Sequence, residues 1–526
     1  MKMKMFVEKT TVAVRGAAFV ALLVGVGAAP GMTTMTVPAA TDVGANTADV
    51  YPPASTAVNS SLFPPESVVG FPGPTPTGAE PFAIQTAPAY PYNDGSASSY
   101  PLILPQPHGS GSQSPNLDIA KYWGNLSPWY SVRSADYGLP DASPLIPDGC
   151  EITQMHLLYR HGARYPTSDA APAKFAQKIV NATKTDGLAF SGELEWLANW
   201  KYKLGAELLT PSGRSENFML GVEYRQLYGH LLNNFTESGK IPVFRTESQD
   251  RMVHTAENFA AGFFGVPEYM SQVNIELLVE TLGVNNSGAP YEICNNSNIA
   301  SRGSIGSKVA SDFAHSAFNA TLARLQSQVE GITLTSTDAI AMLQLCSPVA
   351  AAQGKGFLDE FIARFTQTYP QANSALNETF DNSSTYFPLD QSIYADATHE
   401  VVVLDVLTAF NLTALFKGGP LSGKGNEGKS AFVASKVVPF ATHFTTQVME
   451  CRAMVPTKQI RFIVNDAVLP IDGSYPGCPD DANGLCSFDN VVDMLKKRSA
   501  EIDFEYDCFA NYTAQAGVDY NGRAPR

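Results

Sequence analysis

Residues 152–168 read "ITQMHLLYRHGARYPTS". The first eight residues mix apolar, β-branched and aromatic side chains between Gly149 and Gly162, which predicts a short buried strand. Beyond Pro166, the run Thr167, Ser168, Asp169 offers N-caps for a helix through "AAPAKFAQKIVNATK", residues 170–184. The Arg-His-Gly-x-Arg segment therefore lies in a strand-to-helix loop. In α/β folds ligands bind at such strand carboxyl ends, where helix N-termini favour anions.

That loop carries Arg160, His161 and Arg164 within five positions. Arginine forks match phosphate oxygens in bidentate geometry and stay charged at every relevant pH. A neutral imidazole held among them can attack phosphorus while the guanidiniums stabilise the oxygens in transit. Gly162 allows close backbone approach, and Pro166 sets the loop's exit.

Working outward, "DRMVHTAENFAAGFFG" (250–265) predicts a helix with Val253, Ala256, Ala260 and Phe263 on one face, Arg251 in its first turn and Gly265 as its stop. "THEVVVLDVLTAFNLTALF" contains a strand-like valine run, but its length predicts a helix that starts at Thr398, with Thr398 as its cap. "IRFIVNDAVLPI" (460–471) reads as a strand entering a turn.

The 526-residue chain has room for a large core and two domains. Its net charge of −15 excludes a general nucleic-acid surface, so any anion must meet a local cluster. Lys2, Lys4, Lys9 and Arg15 precede the apolar run at 16–29, so residues 1–30 read as an export signal, cleaved or kept as a signal anchor. Residues 31–116 are rich in Pro, Ser, Thr, Ala and Gly and read as a disordered leader. The folded region is expected at 117–526. N-x-S/T sequons recur from Asn59 to Asn511, Asn125 among them, and the seven cysteines lack paired CxxC spacing. A disulfide-bearing, glycosylated, secreted protein follows, with one cysteine unpaired.

"YWGNLSPWYSV", "GCEITQMHLLYRHGARYPT", "RTESQDRMVHTAENFAAGFFG", "YADATHE" and "VNDAVLPIDGSYPGCPDDANGLCSFDNVV" occur in the order found in histidine acid phosphatases. Over residues 117–510 the chain resembles that family, above all its secreted fungal phytases and acid phosphatases. The resemblance implies an α/β fold of the phosphoglycerate mutase-like kind, with a mainly parallel sheet, flanking helices and a smaller, mostly α-helical domain inserted within 170–390. It implies His161 as the nucleophile that becomes phosphohistidine, and Arg160, Arg164, Arg251 and His399 as phosphate-binding residues. Arg245 is given a supporting role at most. The leaving-group acid falls on Glu400, where the family has aspartate. Its extra methylene shifts the acid by about 1 Å, a change that can cost about 10²-fold. The resemblance also pairs Cys150 with Cys451, Cys294 with Cys508 and Cys478 with Cys486, leaving Cys346 over because Leu358 stands at its partner's place. No cofactor or metal is implied.

Two other motifs compete. His399-Glu400 begins an HExxH pattern, but Val403 stands where the second zinc histidine belongs. "GKGNEGKS" (423–430) fits a P-loop pattern but follows a Gly- and Lys-rich loop rather than a strand. The expected reaction is acid phosphomonoester hydrolysis, fastest between about pH 3.5 and 6, with phytate as the substrate class. Only Lys174 and Lys178 follow the first motif, so a broad-specificity acid phosphatase is the alternative. A catalytically weak phosphate-binding cell-surface glycoprotein and a phosphotransferase or mutase are the other rivals. No nucleic-acid partner is expected, and no membrane partner unless residues 1–30 stay as an anchor.

Overall fold

A computed structural model describes residues 119–526, apart from 168–169, 185–186, 200–206, 342–352, 420–429, 516–517 and 519. The export signal, the leader, Cys346 and most of the P-loop-like stretch lie outside the described residues.

The strand expected from the opening stretch is β1 (Cys150–Arg160). It is followed by β2 (Ala189–Phe190), β3 (Val243–Glu247), β4 (Asn274–Leu278), β5 (Val329–Glu330), β6 (Ile393–Thr398), β7 (His443–Cys451), β8 (Lys458–Val464), β9 (Ala467–Val468) and β10 (Cys486–Ser487). The eight-stranded main sheet runs β10-β8-β7-β1-β6-β3-β4, with β9 paired to β8. β1, β6, β3 and β4 pair in parallel, while β7 joins β1 in antiparallel fashion and β8 reverses again. Most strands thus point one way, and the architecture is α/β as expected.

β1 is buried without interruption from Met155 to Arg160, and the packing of its two faces shows why. Side chains alternate across a strand. Met155, Leu157 and Tyr159 enter a core with Phe244, Phe259 and Ala395, while Leu158 enters the opposite one with Phe361, Val406 and Phe444. A strand covered on both faces has no solvent side to alternate with.

The helices that matter here are α1 (Ala171–Ala182), α2 (Pro211–Tyr228), α3 (Asp250–Phe264), α4 (Ile305–Gln326), α5 (Lys355–Thr366), α6 (Glu400–Ala409) and α7 (Phe488–Glu501). α2 and α3 cover one face of the sheet; α5, α6 and α7 cover the other. Within 170–390 a separate small core gathers Phe175, Ile179, Leu194, Leu197, Leu325, Val329 and Leu334, with β2 and β5 as its two-stranded sheet. Segments 211–278 and 355–366 of that stretch pack on the main sheet instead.

Two helix starts differ from expectation. α1 is capped by Ala170 without a side-chain hydrogen bond, not by Thr167, and Ser168 and Asp169 lie outside the described residues. Thr398 is the last residue of β6; its hydroxyl donates to Glu247 Oε1 and Gly288 O, so it cannot cap α6, which His399 precedes. α3 and its stop at Gly265 fall where the pattern placed them.

Disulfides join Cys150 to Cys451, Cys294 to Cys508 and Cys478 to Cys486, the pairs that the resemblance implied. Leu358 is fully buried in the larger core. Asn125, counted above among the sequons, is only 5% exposed, which removes it as a surface acceptor. Among the described residues no helix is long and apolar enough to cross a membrane.

Candidate active site

Four parallel strands deliver their carboxyl ends to one place. His161 follows β1, His399 follows β6, Glu247 ends β3 with Arg251 just beyond in the first turn of α3, and Glu280 lies two residues past β4. This is the strand-end position anticipated for the Arg-His-Gly-x-Arg loop.

His161 is buried, and its backbone N–H donates to Thr398 O at 3.2 Å, tying the two histidine segments together. Its Nδ1 lies 2.9 Å from Gly162 O. A carbonyl only accepts, so Nδ1 carries the proton and Nε2 keeps the lone pair. Burial, then Arg160, Arg164, Arg251 and His399, hold this imidazole well below its ordinary pKa. That shift favours the neutral ring.

The loop around His161 is pinned by α2. Thr210 caps that helix by accepting from Gly213 N at 3.1 Å, and its hydroxyl donates to Ala163 O at 3.0 Å. Ala163 N donates at 2.7 Å to Oε2 of the half-buried Glu216, whose pKa desolvation raises to about 7.

Arg160 is fully buried against the Phe440 ring. Its Nη1 donates to Asn125 O and Val438 O, and its Nη2 pairs with Glu400 Oε2. Asn125 Nδ2 donates to the other Glu400 oxygen at 2.7 Å. Both oxygens of Glu400 are thus engaged, and the carboxyl must leave Arg160 before it can serve a leaving group.

Arg164 and Arg251 meet at Glu207. Its Oε2 lies 3.0 Å from Arg251 Nη1 and 3.7 Å from Arg164 Nη1. Burial and the nearby Arg251 lower Arg164 to about 10. His399 Nε2 sits 2.6 Å from Glu247 Oε2 and 3.1 Å from Glu280 Oε2. Burial opposes charge on His399, but the two carboxylates outweigh it and push its pKa up to about 9. Glu280 is steadied by Gln249 and the Tyr291 hydroxyl, each at 2.6 Å. The Glu247, Glu280 and His399 side chains converge closely enough to ligate a cation, but the hydrogen bonds from Thr398, Tyr291 and Gln249 already satisfy them as an imidazolium–carboxylate group.

His161, Arg160, Arg164, Arg251, His399 and Glu400 are thus brought together. Arg245 is placed elsewhere: it pairs with Asp396 and Glu360 in a buried ionic network beneath the strand ends. Lys178 is engaged by Asp338 Oδ2 at 2.6 Å within the helical region, and Lys174 is exposed. Sequence reasoning missed Asn125, Glu207, Glu216, Glu247 and Glu280. No local pattern marks them, and for Asn125 the sequon pointed the other way. A cavity of about 360 Å3 between Lys355, Ser374, Asp503 and Arg526 contains none of these residues.

Residues 151–348 and 344–465 match the model of the histidine phosphatase superfamily, branch 2. Phytase A of Aspergillus oryzae is 27% identical over 72% of this chain and 88% of its own length. Phytase A of Emericella nidulans is 28% identical over 72% and 88%. Phytase A of Neurospora crassa is 25% identical over 79% and 97%. The crystal structure of the phytase from D. castellii superposes with a TM-score of 0.56 at 19% identity, covering 79% of this chain and 94% of that one.

Proposed function

Since the chain belongs to branch 2 of the histidine phosphatase superfamily, a phosphomonoester hydrolase by that membership, we propose that it is an acid phosphatase of the phytase type that works through a phosphohistidine on His161. Inositol polyphosphates such as phytate are the proposed substrates, as the Phytase A relatives support. The observation that carries the mechanism is the hydrogen bond between His161 Nδ1 and Gly162 O. It reserves Nε2 as a nucleophile amid the guanidiniums.

The substrate phosphoryl enters among Arg160, Arg164, Arg251 and His399 and draws Arg160 away from Glu400. Freed from Arg160, Glu400 takes up a proton from the acid solvent; His161 Nε2 then attacks phosphorus, the ester P–O bond breaks, and Glu400 gives that proton to the leaving oxygen. Glu400, now a carboxylate, takes a proton from water as that water attacks phosphorus. The P–N bond breaks, inorganic phosphate leaves, and His161 is restored. The cationic His399 and the arginines stabilise the equatorial oxygens in both steps. His399 remains cationic throughout the acid range.

Three disulfides and the N-terminal apolar run support an exported, extracellular protein. With Lys178 engaged by Asp338, the pocket gains little cationic reach beyond the arginines, which supports broad phosphomonoester use alongside phytate.

The test is a single turnover with 32P-labelled substrate quenched in alkali, where phosphohistidine survives, together with phosphate release from phytate across pH 3 to 8. Label retained by wild type and lost in His161→Ala, with a rate maximum between about pH 3.5 and 6, is the expected result. Release by His161→Ala at the wild-type rate removes the histidine mechanism, and a wild-type rate that is still climbing at pH 8 removes Glu400 as acid.

A further inference from the structure

The carboxylate between two of the clamp arginines is the least expected feature of the site. Glu207 is 3% exposed and reaches both Nη1 atoms through a single oxygen, Oε2. The chain adopts a costly conformation to place it there. Glu207 has φ +65°, in the left-handed region that non-glycine residues rarely occupy. Its N–H donates to Pro166 O at 3.1 Å, and Tyr165 N donates to Leu208 O at 2.9 Å. A bridge between Arg164 and Leu209 continues the pairing. The Glu207 segment is thus fastened to the Arg-His-Gly-x-Arg loop itself.

We infer that Glu207 sets the affinity of the phosphate site: as a buried counter-charge shared by Arg164 and Arg251, it weakens their hold on the bound oxyanion and speeds release of inorganic phosphate. This rests on the reading of Arg164 and Arg251 as phosphate ligands. A hydrolase whose last step expels an anion from a cationic pocket gains from a limit on that pocket's charge. The site follows the same logic throughout, since Arg160, Arg164, Arg251 and His399 are met by Glu400, Glu207, Glu247 and Glu280. Glu207 differs from Glu400 in its deep burial and its backbone anchorage, and from Glu247 and Glu280 in touching the arginines rather than the histidine.

Glu207→Gln separates charge from shape. The amide is isosteric, keeps an acceptor oxygen toward both guanidiniums and leaves the backbone pairing untouched. Calorimetric titration with inorganic phosphate at pH 5.5, beside steady-state kinetics with phosphate as inhibitor, reads the effect. Expected are binding and product inhibition about tenfold tighter than wild type, a lower KM and no gain in kcat. Glu207→Asp keeps the charge and should stay within about threefold of wild type in phosphate affinity. Unchanged or weaker binding by Glu207→Gln overturns the inference, as does equal tightening by both variants, which would assign the effect to loop packing. Arg251→Ala is the control on the underlying reading: phosphate binding that ignores this variant refutes the clamp, and the role of Glu207 with it.

Discussion

Gly162→Ala should cost this enzyme far more activity than a single methyl group ordinarily does. A Cβ built on Gly162 would stand well under 3.0 Å from Gly213 O and 2.7 Å from Asn217 Nδ2, and real Cβ atoms essentially never come within 3.0 Å of a neighbour. The Asn217 amide can turn aside; the Gly213 carbonyl belongs to the first turn of α2 and cannot. Gly213 meets the same limit from its own side, where a Cβ would collide with the Ala163 backbone. The motif loop and the start of α2 therefore touch backbone to backbone, and the added methyl must drive them about 1 Å apart, a misplacement able to cost about 10²-fold in rate. Overpacking of this kind also destabilises by about 1–3 kcal/mol. The Thr210 and Glu216 bonds to Ala163 stretch in the same movement, so His161 and Arg164 shift together. Phosphate release under saturating substrate at pH 5, with chemical denaturation run in parallel, measures both effects. A variant that keeps kcat within about threefold of wild type would refute the claim that this contact positions the nucleophile.

Glu280→Gln should lower the titration midpoint of the His399 ring, followed by NMR, by at least about one unit from its wild-type value near 9. Because this folded-state pKa is raised, charge on His399 contributes stability fully below the ordinary imidazole value and loses it as pH rises through about 9, so wild-type melting should fall across that window. An unmoved midpoint would dissociate Glu280 from the charge on His399. Asn125→Ala removes the donor that holds Glu400 Oε1 in place, and an acid misplaced by about 1 Å can cost about 10²-fold, so phytate turnover should drop by roughly 10- to 100-fold. An aryl phosphate with a good leaving group, which needs little acid help, should be nearly unaffected; equal losses on both would show that Asn125 does not act through Glu400. Replacing Cys150 and Cys451 together by serine opens a closure spanning 301 positions and should lower unfolding stability by several kcal/mol, up to about 5. An unchanged denaturation midpoint would contradict this.

Much of the candidate site was legible because its histidine and arginines sit where chain-local rules apply. The strand at 152–159, the glycine that lets the loop lie against a neighbouring backbone, and Arg251 in the first turn of its helix follow from periodicity, sterics and capping over a few residues. The misreadings were local too. Thr398 has the chemistry of a helix cap, but β6 claims it as a paired strand residue whose hydroxyl reaches Glu247. Asn125 carries a sequon, yet the fold turns it inward onto a carboxylate 275 positions away.

By itself, then, the amino-acid sequence determined the histidine, the guanidiniums around it, the strand-loop-helix that presents them and the cysteines that close the scaffold. Only the tertiary structure decided the counter-charges: Glu207 between Arg164 and Arg251, Glu247 and Glu280 on His399, and Asn125 with Arg160 on Glu400. The physical reason is range. Steric and hydrogen-bonding preferences of the backbone act over a few residues and leave a periodic trace, whereas a buried charge needs only an opposite charge within a few ångströms, from whatever part of the chain the sheet brings there.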